Sequence, residues 1–236
     1  MTSEKHSQSL VEDDFNYGTN VATANIKIRM TFIRRVYTLL SLQIILTIST
    51  TALFMFSKHL NAFVQDNSAV VFVSAFSSFV LMNVLVMYRH KRPVNSYLLV
   101  AFTFMEAVSV ATTLTFYEYS TILQSLFLTC AVFAGLTVYT FQSKKDFSKL
   151  GAGLFACILI FVIAMLIQLF YNSDSADLVI SGFGAVVFCG FIIYDTHKLM
   201  KQFSPDEYIV AFIHIYMDII DLFMRILHIL KSIKNQ

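Results

Sequence analysis

Six stretches of the chain combine long runs of apolar side chains with almost no ionisable residues. Five contain no Asp, Glu, Lys, Arg or His: residues 36–57, 67–88, 119–143, 150–173 and 178–194. The sixth, at 93–117, contains only Glu106. A helix needs about 20 mostly apolar residues to cross a bilayer, and none of the six shows the charged face of a soluble amphipathic helix. The pattern predicts six transmembrane helices.

A seventh apolar stretch, at residues 208–230, differs because it carries five ionisable side chains at spacings of four, three, four and three. At about 100° per residue these side chains fall within roughly 80° of one helix face. They are His214, Asp218, Asp221, Arg225 and His228. We call this set the polar stripe. The pattern predicts a helix whose remaining surface is apolar and whose stripe faces protein rather than lipid.

Three placements of this last segment are open. Its length suffices to cross the bilayer, whereas re-entry would return Lys231 and Lys234 to the side of the other basic loops. Re-entrant backbone is tolerated only where it is buried in protein. A helix lying on the membrane surface normally carries Lys and Arg on its polar face, but this stripe holds two Asp and one Arg. We favour a helix at the centre of the bundle.

Composition excludes several classes of protein. Hydrophobic residues make up 57% and charged residues 14% of the 236-residue chain, against about 45–50% and about 25% in soluble domains. A net charge of +2 argues against a nucleic-acid partner, and three cysteines are too few for a disulfide framework. The sequence therefore predicts an all-α integral membrane protein with six or seven transmembrane helices, the last one at the bundle centre.

The distribution of basic residues predicts the orientation. Lys and Arg concentrate in the N-terminal flank and in the second, fourth and sixth loops, while the opposite loops contain only Lys58. Since such residues follow the cytoplasmic side, the N-terminus is expected to be cytosolic. No cleavable signal peptide is expected, because residues 1–30 lack an early apolar region. We divide the chain into a tail at 1–30, one transmembrane domain at 31–230 and a short basic tail at 231–236.

Ionisable groups at membrane depth are candidates for function. An Asp at mid-bilayer costs about 2.5–3.5 kcal/mol on insertion scales, so such groups face the bundle interior or water. Asp218 and Glu106 lie near the middle of their segments. Other interpretations are open for their neighbours. Asp221 and Arg225 are spaced to form an internal ion pair, His214 suits a buried hydrogen bond better than a metal site, and Glu207 marks either the mouth of a pathway or a plain interfacial charge.

Asp195 ends the sixth apolar span, and Asp218 is its candidate partner. Two carboxylates held close together do not both ionise readily, so the pair would titrate as a unit and sense pH. When ionised, it would offer the hard oxygen ligands that calcium prefers. Because calcium takes about 6–8 oxygens, two carboxylates predict a transit site or a weak site. No resident metal or other cofactor is expected.

Two motifs give the sequence a family resemblance. They are GFIIYDT at 190–196 and HIYMDIIDLF at 214–223, and they resemble the transmembrane Bax-inhibitor-motif family, also called the lifeguard family. Two further segments, EDDFNYG at 12–18 and LTVYTFQSKKDFS at 136–148, are similar to its Golgi anti-apoptotic branch, which has animal and poxvirus versions. The resemblance covers residues 12 to about 230. One departure is Asp221, where the family usually has Asn.

The resemblance implies a bundle in which six helices surround the last. It also implies a pH-sensitive calcium leak from Golgi and endoplasmic-reticulum stores that inhibits apoptosis, with calcium as the permeant ion and Asp195 and Asp218 as gate. Arg89 matches a family arginine that holds the closed pair, and Glu106, Asp221, Glu207 and His214 are further pathway candidates. Membrane lipids are expected partners, with apoptosis regulators or calcium channels as possible protein partners.

Other functions are open. A non-conducting protein that binds apoptosis regulators or calcium channels would use the stripe only as a packed polar core. Aspartates in the sixth and seventh spans also suggest an intramembrane aspartyl protease, in which two aspartates share a proton and activate water. Against that alternative, the Gly-x-Gly-Asp and Pro-Ala-Leu motifs of such proteases are absent from the sequence. We therefore expect no enzymatic activity. A seven-helix receptor is disfavoured because its Asp-Arg-Tyr and Asn-Pro-x-x-Tyr motifs are also absent.

Overall fold

The computed structural model describes residues 26–91, 93–168, 170, 173–202 and 208–234, and all regular structure within them is helical. The helices are α1 (Ile26–Phe56), α2 (Lys58–Asp66), α3 (Ala69–Met87), α4 (Val94–Leu114), α5 (Tyr119–Gln142), α6 (Leu150–Gln168), α7 (Asp174–Lys201) and α8 (Tyr208–Lys234). By length and composition, six of them are able to cross a membrane, namely α1 and α3 to α7. This confirms the prediction of an all-α integral membrane protein.

Two features near the N-terminus go beyond the hydropathy pattern. α1 begins at Ile26, inside the stretch assigned to the tail, because an established helix extends readily by one hydrogen bond per added residue. The short helix α2 was not predicted at all. The Ser57 side chain caps it by accepting from the Leu60 amide at 3.5 Å, and Val64 is its buried residue. With only nine residues, α2 is too short to cross and too polar to produce a span signal.

Helix α8 occupies the interior of the bundle. Its first two turns are almost completely buried, and it packs directly against α7, α5 and α1. α3 packs mainly on α4, and α6 mainly on α7, so these two helices form an outer layer. The central position of the last helix was predicted. Direct enclosure by all six others was implied by the resemblance, but this structure divides them into an inner and an outer set.

α8 is one continuous helix that runs the length of the bundle. Its 27 residues correspond to about 40 Å at 1.5 Å per residue, which exceeds the hydrocarbon thickness of about 30 Å. At its C-terminal end, Lys234 Nζ donates to Ser120 Oγ at 2.9 Å and lies 3.5 Å from Glu118 Oε2. Both partners lie at the start of α5. Of the three placements, the continuous helix supports a crossing.

A hydrogen bond joins α1 to the inner helix, and an aromatic contact joins α4 to it. The Tyr216 hydroxyl lies 2.8 Å from Thr47 Oγ1, and its ring meets the Phe102 ring edge-on at a centroid distance of 6.2 Å. Gln43 Nε2 donates to Thr103 Oγ1 at 2.8 Å, which joins α1 to α4 directly. Such hydrogen bonds contribute to helix association in a membrane, because lipid tails are as apolar as the side chains and provide no hydrophobic driving force.

Glycines permit the close approach of α6 and α7. A Cβ on Gly184 would meet the Phe161 ring at 2.5 Å, and a Cβ on Gly190 would meet Leu154 at 2.6 Å. Small residues commonly allow transmembrane backbones to approach in this way. Ser181, on the same helix, is buried as well. The packing of α7 against its outer neighbour therefore depends on positions that carry little or no side chain.

Candidate functional site

The candidate site is the polar stripe of α8 together with the side chains that face it. Its central feature is a contact between Asp218 on α8 and Asp195 on α7, whose carboxyl groups lie within hydrogen-bonding reach of each other. The exposed fractions of the two residues are only 7% and 5%. The predicted pair is therefore brought together by the packing of the last two helices.

This pair has few compensating contacts. Asp218 Oδ2 is buried and accepts no hydrogen bond from the described residues, and Asp221 adds a further acidic neighbour one turn away. On the other side, His214 Nδ1 lies 3.9 Å from Asp195 Oδ2. A proton held between the two carboxyl groups would convert like-charge repulsion into a hydrogen bond. The arrangement is therefore suited to a two-state response to protonation.

Glu106 reaches the stripe from α4. It is buried and accepts a short hydrogen bond from Ser78 on α3. It also interacts electrostatically with Asp221 and lies near the Tyr216 hydroxyl. The inward orientation predicted for Glu106 is thus observed. No pattern in the sequence indicated its contact with Ser78, a neutral residue within an apolar span.

Arg225 supplies the positive charge in the second half of the stripe. Its guanidinium interacts with Asp221 and with Asp177 near the start of α7, and it lies 5.2 Å from the centre of the Phe161 ring. The close ion pair suggested for Asp221 and Arg225 is not formed among the described residues, and the two charges act on each other only at longer range. Asp177 was not anticipated, since residue 177 precedes the apolar run of its helix.

Aromatic and basic groups line the end of the stripe. The Tyr117 hydroxyl lies 3.1 Å from His228 Nε2, and the two rings meet edge-on. Lys231 Nζ lies 4.6 Å from the centre of the same tyrosine ring. His228 thus makes a partly buried hydrogen bond to α4's flanking tyrosine.

One residue assigned to the site from the sequence, Arg89, stands apart from the aspartates. Arg89 follows α3 and donates from Nε to His90 Nε2 at 2.9 Å. Among the described residues, the groups acting on Asp218 are Asp195 and Asp221. Arg89 therefore stays a predicted stabiliser whose contact with the pair is not formed here. Glu207 lies outside the described residues.

A second polar cluster, which the sequence did not reveal, joins the loop between α5 and α6 to the end of α7. The buried His197 Nε2 lies 3.0 Å from Asp146 Oδ1, and the Phe147 ring meets the histidine edge-on. Ser148 Oγ donates to Asp146 at 2.6 Å. Hydrogen bonds from Ser148, and then the histidine, lower the pKa of Asp146 to about 2. These contacts attach the loop to His197, which follows Asp195 by two residues in α7.

The described residues contain no group of three or more His, Cys, Asp and Glu side chains arranged to hold a metal ion. Calcium takes about 6–8 oxygen ligands, and the aspartate pair offers four at most. A calcium ion at Asp195 and Asp218 would therefore retain much of its water. This donor set fits an ion in transit better than a resident ion.

The family is decided by comparison of the whole sequence. Residues 29–236 match the family described as Bax1-I, inhibitor of apoptosis-promoting Bax1. The chain belongs to the Bax inhibitor (lifeguard) family. Mouse Protein lifeguard 4 is 48% identical over 235 residues, covering 100% of this chain and 99% of the relative. The Golgi anti-apoptotic protein of vaccinia virus (strain Lister) is 48% identical over 223 residues, or 94% of each chain.

More distant members of the Bax inhibitor family also cover nearly the whole chain. Bax inhibitor 1 of Schizosaccharomyces pombe is 35% identical over 233 residues, covering 98% of this chain and 88% of the relative. These matches confirm the resemblance drawn from the motifs. The match begins at residue 29, close to the start of α1, and includes every helix that contributes to the stripe.

Proposed function

We propose that this Bax inhibitor family member is a pH-sensitive, calcium-permeable leak channel of Golgi membranes, and also of the endoplasmic reticulum, that lowers stored calcium and thereby inhibits apoptosis. The supporting observation is the contact between Asp195 and Asp218 inside the bundle. A hydrophobic bundle gains nothing in stability from two ionised carboxylates side by side. An ion pathway, by contrast, requires anionic oxygens where lipid and apolar side chains would otherwise exclude a cation.

The proposed pathway follows the stripe along α8. His214 and Asp221 provide the other polar groups near the pair. Glu106 acts on Asp221 from α4, and Arg225 lies beyond them toward the C-terminal end. Protonation of the pair at lower pH weakens its attraction for a stabilising cation and allows α8 to shift against α7. Arg89 is proposed as that cation when the pair is ionised. The channel is therefore expected to conduct faster under mildly acidic conditions.

Orientation and partners complete the proposal. The excess of Lys and Arg in alternate loops supports a cytosolic N-terminus, and crossing by α8 then places Lys234 on the lumenal side. The family description and the name of the vaccinia relative support a role against apoptosis, and the viral name supports the Golgi. Calcium is the permeant ion and no cofactor is proposed. We propose no enzymatic activity and no nucleic-acid partner, and leave apoptosis regulators or calcium channels as protein partners.

The test is calcium flux through purified protein in liposomes at mildly acidic and mildly alkaline pH. Wild type is compared with Asp218→Asn and with Asp66→Asn, a matched change at an exposed carboxylate outside the stripe. We expect flux that rises toward acidic pH in wild type and in Asp66→Asn. Asp218→Asn is expected to lose most of that pH dependence.

Two outcomes would contradict this proposal. Folded wild-type protein that passes no calcium would favour the non-conducting alternative, in which the stripe is a packed polar core and the protein acts through partners. Flux in which Asp218→Asn behaves like Asp66→Asn would remove the pair from the pathway. Cleavage of a model transmembrane peptide, lost in Asp218→Asn, would instead indicate the protease alternative.

A further inference from the structure

The face of α8 opposite the aspartates forms the floor of an apolar groove. The groove has a volume of about 180 Å³ and lies between α1 and α5, with the end of α4 alongside. Ile219, Ile220 and Phe223 contribute the floor, and Thr47 and Thr129 are among the polar residues of its walls. α1 and α5 do not pack closely together, although both pack on α8. The groove is thus a lateral opening in the wall around the central helix.

The position of the groove matches one leaflet of a bilayer. Its α1 wall runs from Ile44 to Phe56, which is about 18 Å at 1.5 Å per residue. Half of the hydrocarbon core is about 15 Å. The α5 wall begins at Tyr119, so the groove occupies the half of the bundle that holds the C-terminal end of α8. At its outer end, the centres of the Phe56 and Tyr119 rings lie 6.2 Å apart.

We propose that this groove binds the acyl chain of a membrane lipid. The occupant must be apolar, because the lining is almost wholly carbon, and it must reach the groove from within the bilayer. A volume of about 180 Å³ is too small for a helix of a second chain, whose diameter is about 10–12 Å with side chains. A single flexible acyl chain meets both requirements. The proposal does not depend on ion conduction.

An acyl chain in this site would touch the helix turn that carries the acidic groups. Ile219 and Ile220 follow Asp218 directly and precede Asp221, with their side chains on the opposite face. The groove occupant and the aspartate pair therefore contact two sides of the same turn. Lipid bound here would support α8 from behind, where α1 and α5 leave a narrow gap between them.

The test exploits the absence of tryptophan from the chain. Single-Trp variants are reconstituted in liposomes of phosphatidylcholine brominated at several acyl depths, because bromine quenches tryptophan on close approach. Phe223→Trp reports from the floor, where the native side chain is only 6% exposed. Phe127→Trp reports from the lipid-facing surface, where the native residue is 75% exposed, and Phe212→Trp reports from the closed interior at 0%.

We expect Phe223→Trp to be quenched to at least half the extent of Phe127→Trp, while Phe212→Trp stays nearly unquenched. Adding Ala52→Leu, which narrows the groove from the α1 wall, should reduce quenching of Phe223→Trp but not of Phe127→Trp. Protection of Phe223→Trp equal to that of Phe212→Trp would overturn the proposal. If Phe223→Trp is protected from quenching at high protein concentration and becomes quenched when the protein is diluted with lipid, the groove would instead be assigned to a second copy of the chain.

A measurement without tryptophan guards against a variant that fails to fold. Native mass spectrometry of wild type and Ala52→Leu, both released from the same lipid mixture, counts the lipids that remain bound. We expect wild type to retain one lipid more than Ala52→Leu. Equal retention by the two folded proteins would overturn the proposal, whatever the calcium flux of either protein.

Discussion

The two halves of the stripe on α8 differ in the charges they face. In the first half, the carboxyl group of Asp218 meets another carboxyl group, that of Asp195. In the second half, the guanidinium of Arg225 acts electrostatically on Asp221 and Asp177 without forming a close ion pair, and Lys234 lies 3.5 Å from the exposed Glu118 at the helix end. Both halves lie on one helix face in the same bundle.

Stability accounts for the charges in one half of the stripe but not for those in the other. Opposite charges in a low-dielectric interior offset much of each other's desolvation cost, so the second half is explained as part of the bundle's packing. Like charges add to that cost, so the first half has no comparable explanation in stability. A buried carboxylate pair is therefore the feature that requires a functional account. Substitutions in the two halves should have opposite consequences for stability.

The largest effect is expected from Arg225→Gln. This change leaves Asp221 and Asp177 without the cation that acts on them. Because that cation forms no close ion pair with either, we take the lower limit of the range of about 3–5 kcal/mol that removing one partner of a buried pair typically costs. We expect a loss of about 3 kcal/mol in the free energy of unfolding, measured by denaturant unfolding in detergent. Adding Asp221→Asn should restore part of the loss. If Arg225→Gln is as stable as wild type, the second half is not an electrostatic support.

A smaller effect is expected at the glycine beneath that arginine. Gly184→Ala places a Cβ within 3.0 Å of Arg225 Cδ and closer still to the Phe161 ring, and such overpacking costs about 1–3 kcal/mol. Gly182→Ala is the matched control, since its Cβ would meet no described atom within 4 Å. That control should gain up to about 1 kcal/mol from helix propensity. Equal unfolding free energies for the two variants would contradict the described packing of α6, α7 and α8.

Asp218→Asn should change the free energy of unfolding in the opposite direction from Arg225→Gln. It removes one of two adjacent acidic groups, so stability at neutral pH is expected to stay equal or rise by about 1 kcal/mol, as for other replacements of unfavourable buried charge. Thermal unfolding in the same detergent measures it. A loss as large as that of Arg225→Gln would show that the pair supports the fold, and the contrast between the halves would disappear.

The smallest effect is expected outside the stripe. Asp146→Asn removes the partner of His197, and faster amide hydrogen exchange in residues 143–149 should report the released loop. Because the pKa of Asp146 is lowered to about 2, its contribution is present above its unfolded pKa of about 4 and fades only as pH falls toward 2. Calcium flux of Asp146→Asn should therefore keep the pH dependence of wild type between pH 5 and 8. A loss of that dependence would link the loop to the pH response.

The sequence predicted features that depend on local periodicity. Long apolar runs defined the six spans, and the spacing of Asp218, Asp221 and Arg225 defined one face of α8 before any packing was known. It did not reveal Ser78 or Asp177 as partners, because a lone serine in an apolar run and an acidic residue at a helix start are ordinary. Their roles depend on which helices become neighbours.

The same limit applies to the aspartate pair itself. Asp195 and Asp218 belong to different helices, and their meeting was suggested by chemistry and by the family resemblance rather than by spacing. The sequence also failed to predict the amphipathic helix α2 and the close approach of α6 to α7 at Gly184, for a related reason. Each depends on a short element or on an absent side chain, and neither changes the hydropathy of a long window.

The central claim is that Asp195 and Asp218 act together in the pH response of the proposed leak. The most direct test is a full pH profile of calcium flux in liposomes for wild type, Asp195→Asn, Asp218→Asn and the double variant. Groups that act as a unit are strongly non-additive. We predict that the double variant loses no more pH dependence than either single variant. Independent, additive losses from the two substitutions would contradict the account.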